Sequence, residues 1–273
     1  MENRPLSVDL YEGASIETSV VARRFSDAAT TYDAWSHPLA LVANGLAEFL
    51  PKEASQVLDV GCGTGLMVSL VRKKYPEARI VGMDPASGMV ELCRKKWKGD
   101  PRASFVLSQA EAFSSPPIFD LAVSSSCAHW FSDKAAAVQA IARSMVSGGT
   151  VAAAIPVEGN FSEFYDSYTA ATGQPLSWCS SLYVDWRPIF EGAGFSMDQW
   201  HVKTLPLLIP EPSYILDFLK GIGTIPIDLS GKTPASICRA NRLTEYYQAH
   251  FAQEGGVRMT WCVLYCTGTL KSR

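Results

Sequence analysis

The 273 residues are 47% apolar, enough to bury one large domain or a domain with an embedded lobe. Lys and Arg number 24 against 27 Asp and Glu, for a formal charge of −3, so the chain has no bulk basic footprint for nucleic acid. The opening "MENRPLSVDL" lacks the apolar segment of a secretory signal and no apolar run approaches membrane-spanning length, so a cytoplasmic location is expected.

Residues 17–50 read as helical. From His37 onward, Leu39, Val42, Leu46, Phe49 and Leu50 recur at helical spacing until Pro51 closes the run. "QVLDV" is an apolar strand. The helix expected after it, Thr64 to Tyr75, ends in Arg72, Lys73 and Lys74, cations suited to the negative end of a helix dipole. "RIVGMD" is the next strand, followed by a helical stripe of Met89, Cys93 and Trp97. "ASFVLS", "FDLAVSSS" and "TVAAAIP" give three more strands. Between the last two, a helix turns Val138, Ile141 and Met145 inward and is expected to stop at Gly148-Gly149. Alternating strands and helices predict a parallel sheet covered on both faces.

Beyond Pro156 the rhythm changes. Helices near 160–172 and 185–192 lead to a strand around "DQWHVKTLPLL". Residues 212–223 place Ile215, Phe218, Leu219 and Ile222 at helical spacing. In "KTPASICRANRLTEYYQAHF", Thr233 is set as an N-cap with Pro234 at the first helical position. In "VRMTWCVLYCTGTL", Val257, Met259, Trp261, Val263 and Tyr265 alternate as a long final strand. The helices between the last two strands read as a lid. The seven cysteines are scattered without a CxxC pair, and metal spacing is absent, so reduced thiols and no zinc or other metal are expected.

Chemistry first shows in "VLDVGCGTGL", residues 57–66. Gly61, Gly63 and Gly65 let the backbone take positive φ and approach a ligand closely, at the carboxyl end of the first strand. Residue 66 is Leu, so the dinucleotide fingerprint G-x-G-x-x-G is incomplete. Asp59 beside this loop disfavours a pyrophosphate and favours a ligand carrying an ammonium or sulfonium charge. Leu66 and Asp59 together argue against a nicotinamide oxidoreductase. Asp84 ends the second strand, where a carboxylate can accept hydrogen bonds from both ribose hydroxyls of a nucleoside.

"VLDVGCGTG" with "GMDPASGM" resembles the first two motifs of class I S-adenosylmethionine-dependent methyltransferases. The similarity runs on through "SQAEAF", "FDLAVSSSCAHWF" and "ARSMVSGGTVAAAIP". The resemblance implies a doubly wound, Rossmann-like α/β sheet with N-terminal capping helices over 1–50. A cofactor-binding core over 51–208, a helical lid over 209–255 and a final core strand over 256–273 complete it. It also implies S-adenosylmethionine as cofactor, held by Asp59, Gly61, Cys62, Gly63, Asp84, Pro85, Met89, Gln109, Ala110, Glu111 and Ser125. The loop from Gly61 to Gly63 would hold the methionine portion and Asp84 the ribose. Met89 would flank adenine, with Gln109, Ala110 and Glu111 along its edge; Gln109 replaces a commoner Asp.

"VARRFSDAATTYDAWS" resembles the leading helix of methyltransferases that cap their cofactor. "FLKGIG" and the final strand are similar to the C-terminal part of the malonyl-acyl-carrier-protein O-methyltransferases of biotin synthesis. By that resemblance the substrate is the free carboxylate of a malonyl thioester on acyl-carrier protein or coenzyme A. Such a carboxylate is already ionised at neutral pH and needs no general base. Tyr32 is then the candidate catalytic residue, touching cofactor or substrate carboxylate, or else a packing aromatic. His129 and Trp130 are candidate walls for the acyl group. Lys220 is either a cation steering an acidic partner or a solvated lysine, and Arg239 with Arg242 either a basic docking patch or a wet helix face. A methyltransferase of small carboxylic acids or quinone precursors, and a non-catalytic cofactor-binding protein, share the same core motifs.

Overall fold

The computed structural model describes residues 18–176, 184–224, 229 and 233–272. Glu17, "MENRPLSVDL" and parts of the expected 1–50 and 209–255 segments lie outside them. The expected helical stretch is two helices, α1 (Thr18–Trp35) and α2 (His37–Ala47), separated at Ser36. They precede β1 (Gln56–Val60), α3 (Leu66–Lys74), β2 (Arg79–Asp84), α4 (Ser87–Lys96), β3 (Ala103–Leu107) and β4 (Phe119–Ser125). Then come α5 (Lys134–Ser144), β5 (Met145–Pro156), α6 (Ser162–Thr172), α7 (Trp186–Gly192) and β6 (Phe195–Ile209). Helices α8 (Ser213–Gly221) and α9 (Pro234–Phe251), the two-residue β7 (Ala252–Gln253) and β8 (Gly256–Leu270) complete the chain.

The eight-stranded sheet runs β3-β2-β1-β4-β5-β8-β6, with β7 pairing to the start of β8. Strands β1 to β5 are parallel; β8 lies antiparallel to both β5 and β6. This is the Rossmann-like α/β architecture with a mixed rather than wholly parallel sheet. The last strand enters between two earlier ones and separates them.

Local chemistry explains the element ends. Asp133 accepts from the Ala136 amide at 2.8 Å to cap α5. Thr233 accepts from the Ser236 amide at 3.2 Å, and Pro234 opens α9, as the sequence predicts. The Arg72 guanidinium at the end of α3 donates to the carbonyls of Pro76 and Ala78 at 2.9 and 2.6 Å. One boundary differs from expectation. Helix α5 stops at Ser144, and Met145 is already in β5, paired with Phe119. Gly148-Gly149 therefore sits inside β5, where the register shifts, and Gly148 takes φ +79°. A short helical repeat followed by glycines cannot reveal that the strand begins first.

Two apolar layers cover the sheet. Val57, Val263 and Tyr265 pack on one face with α2, α3, α6, α8 and α9; Leu58, Val60, Leu264 and Cys266 pack on the other with α5 and α7. Alternation along β8 thus serves both layers at once. Glu163 of α6, 1% exposed, fastens α6 to β8. Its carboxylate accepts from Arg258 Nε at 2.6 Å, from the Thr260 amide at 3.0 Å and from Thr260 Oγ1 at 2.5 Å. Replacing Glu163 with Ala strands the Thr260 amide and hydroxyl. It is expected to lower stability by about 2–4 kcal/mol in urea unfolding monitored by circular dichroism.

Candidate functional site

The carboxyl ends of β1, β2 and β4 open on one crevice. After Val60 the chain turns back, and the amides of Gly61 and Cys62 both donate to the Met83 carbonyl, at 2.8 and 2.9 Å. Asp84 then clamps two loops. Its Oδ2 accepts from the Gly63 amide at 2.9 Å and its Oδ1 from the Ala86 amide at 2.8 Å. Gly61 has φ +73°, and a Cβ there would stand 2.0 Å from Cys127 Sγ, so only glycine lets these loops meet. A Cβ on Gly63 would touch nothing, which leaves the loop surface open beside Asp84.

Asp59 is the electrostatic oddity of the crevice. It is 1% exposed, and apart from a weak pull from the Val68 backbone neither carboxylate oxygen finds a hydrogen-bond partner among the described residues. Burial, with the Asp84 carboxylate nearby, pushes its pKa up to about 8. Burial also raises Asp84, against the amides of Ala86 and Gly63 that pull it down. Such a crevice rejects phosphate and fits a ligand that brings positive charge. The sign for stability follows. The folded chain keeps a proton on Asp59 that the unfolded chain has lost, so stability falls as pH rises from about 4 to about 8. Asp59→Asn is expected to remove that share of the slope, at most about 1.4 kcal/mol per pH unit, in urea titrations at pH 5 to 8.

Two cavities flank this crevice and share Trp130. The first is walled by Gly61, Pro85, Gln109, Ala110, Glu111 and Cys127, together with Val21 of α1. Glu111 also holds the loop after Trp130, accepting from the Ser132 amide at 2.8 Å and the Asp133 amide at 3.2 Å. The second is a chamber walled by Phe25, Tyr32, His129, Phe161 and Trp261, with Ser126, Asn160, Tyr165, Leu219, Ile222 and Thr224 between them. Phe25 covers the junction, its ring 5.8 Å from Trp130 and 6.3 Å from Tyr32. Burial, aided by Asp84, raises the Tyr32 hydroxyl above its ordinary value, so it stays a neutral donor. Burial, then Lys134, lowers His129 to about 3, so its imidazole is uncharged at neutral pH.

Helix α1 roofs both cavities because it is pinned on two sides. Gly88 at the start of α4 donates its amide to Ser26 Oγ at 2.8 Å, and Lys96 forms an ion pair with Asp33. On the other side, Thr31 Oγ1 donates to the Gly221 carbonyl at 3.0 Å. A Cβ at Gly221 would lie 2.1 Å from Trp35 Cδ1, and one at Gly223 2.7 Å from the Arg24 carbonyl. The glycines of "FLKGIG" are therefore what let α8 close against α1.

The structure thus brings Gly61, Pro85, Gln109, Ala110 and Glu111 to one cavity and Tyr32, His129 and Trp130 to the chamber beside it. Asp59, Gly63 and Asp84 lie at the ends of β1 and β2 behind the first, and the Cys62 side chain turns into the apolar core. Ser125 ends β4 next to both. Met89 is buried at 1% exposure with Ala29 and Ala86 beneath α1, behind the cavity wall rather than in it. Lys220 faces elsewhere, into an open cavity of about 680 Å³ that it shares with Arg23, Arg24, Asp27, Asp217 and Trp35. Arg239 and Arg242 are exposed on α9. Sequence reasoning missed Phe25, Ser126, Asn160, Phe161, Tyr165, Thr224 and Trp261. Ser126 and Phe161 were the most accessible of these, since they follow the carboxyl ends of β4 and β5.

Residues 57–149 match the methyltransferase domain family. That stretch, from β1 to the middle of β5, is similar to a methyltransferase domain. A malonyl-[acyl-carrier protein] O-methyltransferase from Acetivibrio thermocellus is 27% identical to it, over 94% of this chain and 95% of that one. Among solved structures, the YcgJ protein of Bacillus subtilis superposes with a TM-score of 0.61 at 18% identity, over 85% of this chain and 99% of its own. A phosphoethanolamine N-methyltransferase from Haemonchus contortus in complex with S-adenosyl-L-methionine gives a TM-score of 0.55 at 15% identity, over 98% of this chain and 61% of its own. Both structures share the fold of the methyltransferase domain. Among the described residues, no helix is long and apolar enough to cross a membrane, and no three His, Cys, Asp or Glu gather as a metal site.

Proposed function

We propose that this methyltransferase esterifies the free carboxylate of a malonyl thioester carried on acyl-carrier protein, a step of biotin synthesis. The observation that carries the reading is similarity to a malonyl-[acyl-carrier protein] O-methyltransferase along nearly the whole of both chains, roof and C-terminal helices included. S-adenosylmethionine is the cofactor, and it supplies a methyl group on a positively charged sulfur. Asp59 fits that charge, since among the described residues no side chain pairs with its buried carboxylate. Asp84, already fixed by two amides, has lone pairs left for ribose hydroxyls, and Pro85, Gln109 and Ala110 wall the adenine side.

What the protein must do for a carboxylate is limited. The oxygen is nucleophilic as it stands, and the uncharged His129 has no proton to remove. Alignment and exclusion of water remain, worth on the order of 7–11 kcal/mol when fully realised. Helices α1 and α8 supply both by closing the chamber, and we assign α8 and α9 the part of a lid and Tyr32 that of an orienting donor. Lys220, Arg239 and Arg242 are placed outside the chamber, where they serve an acidic carrier rather than the reacting carboxylate.

Incubating the protein with S-adenosylmethionine and malonyl-carrier protein should yield a methyl ester detectable by mass spectrometry. Methylation of a free small acid or a quinol instead would reassign the substrate, and tight cofactor binding without any product would make the chain a binding protein. Asp84→Ala should weaken cofactor affinity about 10- to 100-fold in calorimetry, against at most a few-fold for Tyr32→Phe. Equal losses would abolish the division between ribose and substrate roles. Cofactor binding at pH 7 should release close to one proton as Asp59, at about 8 in the free protein, ionises. Calorimetry in buffers of different ionisation enthalpy counts it, and no release would remove Asp59 from the cofactor's charge site.

A further inference from the structure

The chamber holds an unusual set of polar atoms. Trp261 Nε1, His129 Nδ1 and Ser126 Oγ are all buried and find no hydrogen-bond partner among the described residues. All three residues line this one chamber. Trp261 is 2% exposed and His129 8%, so neither ring is solvated by facing bulk water. Unpaired buried polar atoms are costly, and three around one space, the indole N–H a donor and the other two able to donate, point to a ligand that pairs with them.

The backbone adds an independent sign. Among the described residues, only two that are not glycine have positive φ, Ser126 and Phe161, each at 53°. Both line the same chamber. The Ser126 amide is tied to the Ala154 carbonyl at 2.8 Å and the Phe161 amide to the Thr260 carbonyl at 2.8 Å, so the sheet holds both in place. A serine in the left-handed region costs free energy, and this strain sits where its hydroxyl enters the chamber.

We propose that Ser126 Oγ–H, Trp261 Nε1–H and His129 Nδ1–H form an uncharged anion subsite that grips the carboxylate of the acyl substrate. The assignment rests on the carboxylate-methylating reading and adds the groups that recognise its substrate. Three donors suit a carboxylate, which offers about four acceptor positions, better than a carbonyl, which offers two. No lysine or arginine is among the described residues lining the chamber. That absence of cations has a chemical sense. A guanidinium would pair with the carboxylate, lower its nucleophilicity and repel a cationic sulfur in the adjoining crevice. Neutral donors can hold one oxygen and leave the other free. The buried acids Asp59 and Asp84 meanwhile keep the anion out of the cofactor's crevice. For His129 the grip selects the tautomer with its proton on Nδ1, since a carboxylate only accepts.

The test uses the full chain saturated with S-adenosylhomocysteine, labelled with ¹⁵N at tryptophan, and two ligands: malonyl-pantetheine and its carboxamide analogue. The indole resonance that disappears in Trp261→Phe should move downfield with the carboxylate and much less with the amide. Trp261→Phe and Ser126→Gly should each weaken malonyl-pantetheine binding by roughly 5- to 30-fold, and the amide by less than 3-fold. Ser126→Gly relieves the left-handed strain, so its melting temperature should not fall, and lost binding cannot then be put down to unfolding. Equal losses for carboxylate and amide, or an unmoved indole with both malonyl-pantetheine and free dicarboxylates, overturn the subsite even where a methyl ester is formed. An indole that moves with free dicarboxylates, in a protein that makes no ester from malonyl thioesters, supports the subsite and removes the malonyl-thioester reading.

Discussion

Two buried acids facing one bare loop set the terms for everything else in this molecule. Asp59 and Asp84 share a crevice of low dielectric, and among the described residues no basic side chain lines the cavity beside them, so Asp84 raises the cost of ionising Asp59. Asp84 is offset by two amides, and in being offset it joins the glycine loop to the start of α4. Asp59 is offset only by the Val68 backbone, and among the described residues no hydrogen-bond partner reaches its oxygens within normal geometry. The fold therefore carries an unmet demand for positive charge at the mouth of β1, and a cationic sulfur nucleoside answers it. An anion would then have to be received elsewhere, and the second chamber lies beside this crevice.

That chamber depends on α1 being held from both sides. Its contacts to α4 set it over the crevice; its contacts to α8 shut the space beneath. Backbones approach closely at Gly88, where a Cβ would stand 2.5 Å from the Ser26 carbonyl, and again at Gly221. Small residues here trade side-chain packing for closeness of two helices. The gain is an aromatic-walled space next to the cavity beside the glycine loop, with Trp130 as the common wall.

Much of this was legible in the residues. The run of Val57 to Asp59 into spaced glycines marks a strand ending at a ligand loop, and Asp84 marks the next strand's end, because those signals are local. The helices α8 and α9 followed from spacing, and Thr233-Pro234 marked a helix start by cap chemistry alone. The boundary at Met145 was misread because pairing with Phe119, distant in sequence, ends α5 before the glycines are reached. Trp261 was legible as an inward residue of a strand, but not as a chamber wall. That role needs the insertion of β8 beside β5, which no pattern within the strand encodes. Lys220 illustrates the converse. It precedes the Gly221 that closes α8 against α1, yet the helix phase turns it away from the chamber that its neighbours Leu219 and Ile222 line.

The central placement of β8 has a bearing on how the molecule is made. Residues 256–270 slot between β5 and β6, which were synthesised about fifty to a hundred residues earlier and stay unjoined until then. Through that interval a nascent chain on the ribosome presents the unpaired edges of β5 and β6 that β8 will join, and such edges invite pairing with other chains. The half around β1 to β4 can mature early, while the chamber walled by Trp261 must wait for the last stretch to emerge. Nonsense or frameshift lesions near the end of the message should therefore yield aggregating protein rather than a crippled enzyme.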